Sequence, residues 1–114
     1  MSSITTHVLD TSLGCPAAGV AVKLERANGK DGWEPVAHAV TDKDGRAREL
    51  LGNGQVIDTA TYRMTFDTSA YFSAKGVHAF YPSVSIAFDV HDSGEHYHIP
   101  LLLSPYGYST YRGS

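Results

Sequence analysis

The chain has a single cysteine, Cys15, no cluster of basic residues and no apolar run long enough to cross a bilayer. One thiol cannot form an intrachain disulfide, and within "LGCPAAG" it has no second thiol nearby for metal or redox chemistry. The fold must therefore be held by its core, and the composition suits a reducing compartment. Nine Lys+Arg against twelve Asp+Glu leave a formal net charge of -3. With the basic residues scattered, no surface can neutralise a series of phosphates, so nucleic acid is not an expected partner. The start, "MSSITTHVLD", lacks the basic region and continuous apolar stretch of a signal peptide, which makes the cytoplasm the expected location and a membrane an unexpected partner. Arg112-Gly113-Ser114 is not a peroxisomal address of the Ser-Lys-Leu type. Internal repeats, low-complexity tracts and linkers are also missing. A chain of 114 residues then reads as one domain over 1–114, large enough to bury roughly two thirds of its unfolded surface without staples.

What is present has mostly a period of two. In "GVAVKLER" Val20, Val22 and Leu24 share one face while Ala21, Lys23 and Glu25 share the other, the pattern of a half-buried strand. "TYRMTFD" repeats it with Tyr62, Met64 and Phe66, and "SVSIAFDVH" with Val84, Ile86, Phe88 and Val90. Hairpin punctuation falls between: Asn28-Gly29 and Asp31-Gly32 before "WEPVAHAVT", then Asp42 to Gly45 before "RAREL". "SITTHVLD" and "EHYHIPLLL" bring the total to about seven strands. One segment, "DTSAYFSAKG", predicts a short helix, with Asp67 or Thr68 as cap and Tyr71, Phe72 and Lys75 at helical spacing. "LGNGQVIDTA", Leu51 to Ala60, reads as a long loop. The fold class is all-β, a two-sheet sandwich with one short helix inserted.

Six histidines are the natural place to look for chemistry near neutral pH. Strand alternation puts His96 and His98 on one face of "EHYHIPLLL", with Tyr97, Ile99, Leu101 and Leu103 on the other. That pair reads as a solvent-facing strand edge, or as half of a zinc site whose other half would have to come from His7. With no paired cysteines and no His-Glu-x-x-His, neither metal nor cofactor is expected. His7 shares a strand face with Thr5 and Leu9, and a lone histidine there is ordinarily structural. Arg46 after the Asp-Gly turn reads as the first solvated residue of a strand, and Lys30, Lys43 and Arg48 as surface charge. His38, His78 and His91 have ordinary strand or loop settings, and Trp33 is a strand-start anchor. Burial of Cys15 stays open.

These readings leave the C-terminal end unexplained. Pro105 ends a strand, yet Tyr106, Tyr108 and Tyr111 carry too much apolar area for a solvated tail. A small single-core sandwich has little room for another aromatic strand, so the natural cover is a second subunit.

In "THVLDTSLGCPAAGVAVKLER", "TDKDGR", "YRMTFDTSAYFSAKG", "FYPSVSIAFDV" and "HYHIPLLLSPYGYSTYRGS" the sequence resembles the 5-hydroxyisourate hydrolases, the enzymatic branch of the transthyretin-like proteins. The closing Tyr-Arg-Gly-Ser is the most specific of these stretches, because true transthyretins lack it. The resemblance implies a transthyretin-like sandwich of two four-stranded antiparallel sheets with a short helix. It also implies a homotetramer, a dimer of dimers around a central channel with sites between subunits. Carried over by position, the catalytic set is His7, Arg46, His98 and Ser114, with His7, Arg46 and Tyr111 binding substrate.

The implied reaction is hydrolysis of 5-hydroxyisourate to 2-oxo-4-hydroxy-4-carboxy-5-ureidoimidazoline, in urate breakdown. His7 and His98 would hold and deprotonate water, a contribution typically about a hundred- to ten-thousand-fold. Two close imidazoles titrate as a pair, so their separate roles stay open. Arg46 offers a planar fork for ring oxygens and the developing negative charge. Tyr111 would hydrogen-bond the flat ligand, and Ser114 would orient a histidine or the water by its hydroxyl or a terminal carboxylate. Two other classes predict different behaviour. A transthyretin-like carrier would bind small aromatic ligands without chemistry, and a structural or metal-binding sandwich module would tolerate loss of the tail.

Overall fold

The computed structural model describes residues 4–48, 50–51, 55 and 57–114. Eight strands and one helix follow in order: β1 (Ile4–Asp10), β2 (Cys15–Pro16), β3 (Ala21–Ala27), β4 (Trp33–Val40), β5 (Ala60–Phe66), α1 (Thr68–Ser73), β6 (Val84–Val90), β7 (Tyr97–Ser104) and β8 (Gly107–Thr110). They form two four-stranded sheets, β2-β1-β7-β8 and β4-β3-β5-β6. The alternation expected from the sequence fills the space between them. Val22, Leu24, Tyr62, Met64, Phe66, Val84 and Val90 from one sheet meet Ile4, Val8, Tyr97, Ile99, Leu101 and Leu103 from the other, all buried. At roughly 25 cal/mol per Å² of apolar area removed from water, this shared layer is the main stabilising term in a chain without a disulfide. Ile86 and Phe88 are only partly buried at its margin.

Buried polar groups on the inner faces are satisfied locally. The Thr6 hydroxyl donates to the Ile99 carbonyl at 2.5 Å, and Tyr71 of α1 donates to Asp10 Oδ2 at 2.7 Å. Asp67 caps α1 by accepting from the Ala70 amide at 3.1 Å, as the sequence predicts for that segment.

Four details differ from expectation. Among the described residues the strands number eight, because the brief pairing of Cys15–Pro16 with the end of β1 and the edge strand β8 are added while the expected strand in "RAREL" is not formed. Within the first sheet β1 and β7 run parallel, Ile4 beside Tyr97 through Asp10 beside Leu103, while the other pairings are antiparallel. Period-two patterning cannot distinguish the two directions, since either buries the same face. Arg46 makes one isolated bridge to His7, and Ala47 and Arg48 lie in no strand. The C-terminal tail does find room in the sandwich, as the edge strand β8 beside β7. Of the expected loop, Leu51, Gln55 and Ile57 to Thr59 lie outside strands, and 52–54 and 56 lie outside the described residues.

Candidate active site

The outer face of the β1–β7 pair carries the chemistry. Alternation turns Ile4, Thr6, Val8 and Asp10 inward, which leaves Thr5, His7 and Leu9 half-buried on the other side. In β7 the same rule buries Tyr97 and Ile99 and turns His98 outward, with His96 one residue before the strand on the same side. The parallel register sets Thr5 beside His98 and His7 beside Pro100. His7 and His98, far apart in the chain, thereby occupy neighbouring strands of one face.

Arg46 reaches this face through a tightly specified loop. Asp42 Oδ1 accepts from the amides of Asp44 at 2.9 Å and Arg46 at 3.1 Å, and the Gly45 amide donates to the Asp42 carbonyl at 2.9 Å. Gly45 has φ 77°, and a Cβ there would collide with the Val8 carbonyl oxygen. Only glycine permits both the turn and the approach. The Val8 amide then donates to the Gly45 carbonyl at 2.7 Å, which docks the loop on β1 and sets Arg46 opposite His7. Arg26, Arg48, Arg63 and Arg112 each hold a carboxylate. Among the described residues Arg46 has no ion pair, so its guanidinium is available.

The tail closes the other flank. Tyr111 falls opposite Pro100 in the register that β8 sets, and Pro100 has no N–H to offer. The ladder lapses there and closes again where the Gly113 amide donates to the His98 carbonyl at 2.8 Å. A Cβ on Gly113 would lie 2.5 Å from His98 Cδ2, so the backbone of the tail packs directly on the catalytic candidate's ring. Arg112 holds this segment down, its guanidinium 4.6 Å from the centre of the Tyr97 ring and its Nη2 3.4 Å from Glu95 Oε2. Exposed Ser114 follows.

Both histidines are held toward the neutral form. Burial first, then the Arg46 guanidinium, lower the pKa of His7 against a weaker upward pull from the Asp44 backbone and the Asp42 and Asp44 carboxylates. For His98 burial is again the largest cause, followed by Arg46, His96 and His7. The influence of Arg46 on both rings makes the three groups one electrostatic cluster. Neutral imidazoles beside a guanidinium can take a proton and steady an anion, which is the equipment of acid–base hydrolysis.

Tyr111 is not in that cluster within one chain. It is 60% exposed and borders a different cavity of about 460 Å³, with Ile86, Phe88, Tyr97, Ile99 and Arg112. Thr5 escaped sequence reasoning as a participant, and His96 was placed on the face of His98 without a role in the catalytic set. Thr5 donates to or accepts from both His96 Nε2 at 2.9 Å and His98 Nδ1 at 2.8 Å, and the His96 and His98 rings stack with centroids 6.4 Å apart. Thr5 was legible only as a neighbour of His7, because its contacts depend on a parallel register that sequence does not reveal. Among the described residues no group of three or more His, Cys, Asp or Glu side chains is arranged to hold a metal ion.

Fold and site together define a two-sheet β-sandwich with a histidine–arginine cluster on the outer face of one sheet. The family model described as HIUase/Transthyretin matches residues 4–113, and the chain belongs to that family. It is 40% identical over 118 residues to the 5-hydroxyisourate hydrolase of Pseudomonas aeruginosa, covering 100% of this chain and 93% of that protein. It is 46% identical over 123 residues to the uric acid degradation bifunctional protein TTL of Arabidopsis thaliana, where 97% of this chain spans 37% of the relative's length. Sea bream transthyretin, solved in complex with thyroxine, superposes with a TM-score of 0.91 at 34% identity, covering 98% of this chain and 95% of that one.

Proposed function

We propose that this chain is a single-domain 5-hydroxyisourate hydrolase that forms 2-oxo-4-hydroxy-4-carboxy-5-ureidoimidazoline. The observation that carries the reading is the convergence of His7, Arg46 and His98 on one sheet face, with both imidazoles depressed toward the neutral form. Water adds to the ring carbonyl as a neutral imidazole of the His7/His98 pair takes its proton, while the Arg46 fork hydrogen-bonds the oxygen that becomes anionic. Collapse of the tetrahedral intermediate breaks the ring C–N bond, and the imidazolium returns the proton to the departing nitrogen. Ser114 beside Gly113 orients the water or a histidine, and Tyr111 hydrogen-bonds the planar substrate.

The site assembles as part of a homotetramer in this reading. The histidines are half-buried on a single chain, and Phe80, Tyr106 and Tyr111 are 66%, 71% and 60% exposed. Partner subunits would cover both, and could bring Tyr111 to a neighbour's histidines. Cytoplasmic placement belongs to the same proposal, in keeping with an exposed, unpaired Cys15. Among the described residues no helix is long and apolar enough to cross a membrane.

The close superposition on a thyroxine-bound transthyretin supports a second reading, a carrier of small aromatic ligands. One assay separates the two. Substrate generated freshly from urate and urate oxidase is followed by its ultraviolet decay with the wild-type protein and with a folded His98→Asn variant. Rapid decay with the first and near-spontaneous decay with the second is the expected result, whereas no acceleration by the assembled wild type favours the carrier.

A further inference from the structure

The Thr5 hydroxyl stands between two imidazole nitrogens, His96 Nε2 at 2.9 Å and His98 Nδ1 at 2.8 Å. A hydroxyl has one proton to donate, so it can donate to one ring and must accept from the other. With both rings neutral, two arrangements satisfy all three groups. If Thr5 donates to His98 Nδ1, that ring carries its proton on Nε2, and His96 must donate from its own Nε2. If Thr5 donates to His96 Nε2, that ring carries its proton on Nδ1, and His98 donates from Nδ1, which leaves His98 Nε2 bare. In either case the two histidines share the same tautomer.

We propose that Thr5 is a positioning residue that couples the tautomers of His96 and His98, and that the working enzyme has both protons on Nδ1 so that His98 Nε2 is free to accept a proton. This rests on the reading of His98 as a base. The Nδ1–H arrangement suits that work, because a proton taken from water onto His98 Nε2 leaves both hydrogen bonds of Thr5 unchanged. The other arrangement occupies Nε2 with a proton and disables the base without charging the ring. Protonation of His96 forces that second arrangement, since a doubly protonated ring can only donate at Nε2.

The groups that bear on this unit come from every element around it. His7 lies on β1, Arg46 on the loop docked against it, and Arg112 on the tail, where its Nη2 is 3.4 Å from both the His96 carbonyl and Glu95 Oε2. Among the described residues none of them hydrogen-bonds a ring nitrogen of His96 or His98, which leaves Thr5 as the group that links the two tautomers.

Two-bond proton–nitrogen spectra of the imidazoles read the tautomers directly, independently of turnover. Near neutral pH both rings of the wild type are expected to carry the proton on Nδ1. Thr5→Val should let the rings diverge and lower kcat/KM by about ten-fold or more, within the roughly hundred- to ten-thousand-fold that a general base contributes. Thr5→Ser, which keeps the hydroxyl, should restore both. His96→Phe frees the Thr5 proton for His98 Nδ1 and should drive His98 to the Nε2–H form, a second route should Thr5→Val not fold. Opposite tautomers in the two wild-type rings, a proton on His98 Nε2, or spectra and pH profile unmoved by Thr5→Val would each overturn the proposal. Shared Nδ1–H tautomers together with a fully active His98→Asn protein would support the coupling while removing His98 as the base.

Discussion

At the scale of single residues the site turns on the charge state of two imidazoles and one guanidinium. Both histidines titrate below their ordinary value, so each is neutral at pH 7 and charges only as the pH falls through its depressed pKa. kcat/KM should therefore fall as the pH is taken down into the acid range and the imidazoles charge, as a pH–rate profile would register. The sign for stability follows from proton counts. Below pH 6.5 the unfolded chain binds more protons than the folded one, so stability present above that pH should decline toward acid, visible as a falling Tm. Arg46 tests geometry apart from charge. Arg46→Lys keeps the cation but not the planar fork, and should lower kcat/KM nearly as far as Arg46→Ala, by about ten- to a hundred-fold. A lysine variant with most of its turnover would rule out the two-point grip.

At the scale of elements, the strands were legible because their inward residues alternate without interruption, as in Tyr62, Met64 and Phe66, and α1 was legible because Asp67 stands where a cap belongs. The direction of β1 against β7 was not, since neither chain direction changes which side chains are buried. The parallel register decides which outer residues meet, so the sequence exposed His98 as outward-facing but concealed Thr5 as its partner. The short bridge at Arg46 was equally hidden. The Asp-Gly turn announces a hairpin, whereas the loop instead follows β1, steered by the contact of Gly45 with the Val8 carbonyl. Gly113 offers a sharp test at this level. A methyl group there would press on His98 Cδ2, on an exposed-edge segment that contributes little to the core. Gly113→Ala should thus reduce turnover about ten-fold or more with Tm almost unchanged, displacing the ring by about an ångström. Asp10 provides the contrast. Tyr71→Phe removes its 2.7 Å hydrogen bond on the inner face of β1, opposite the face that carries His7, and should cost about 1–2 kcal/mol of stability in a urea titration while leaving kcat nearly intact.

At the scale of the whole molecule, the aromatic groups of the tail and of the segment before β6 form a patch instead of scattered contacts. Tyr81 packs edge-on against both Phe80 and Tyr108, with centroids 4.9 and 5.4 Å apart, and the Phe80 amide donates to the Pro105 carbonyl at 2.8 Å. A prearranged apolar patch of this kind marks a protein contact. On the proposed assembly, sedimentation equilibrium should return four subunits, and Phe80→Asp should shift it toward smaller species with loss of turnover, because the proposed sites between subunits need both sides. The pairing of β1 with β7 has a further consequence, in time. Thr5 and His98 meet across nearly the full length of the chain, and loop closure over such a separation is entropically costly and slow. The histidine face is thus absent from a chain synthesised short of β7, however well β3, β4 and β5 have already paired, and in refolding it waits for β1 to find β7. Hydrolysis regained after dilution from denaturant should trail the return of β-sheet signal, so that enzymatic competence becomes a clock for the last long-range event of folding.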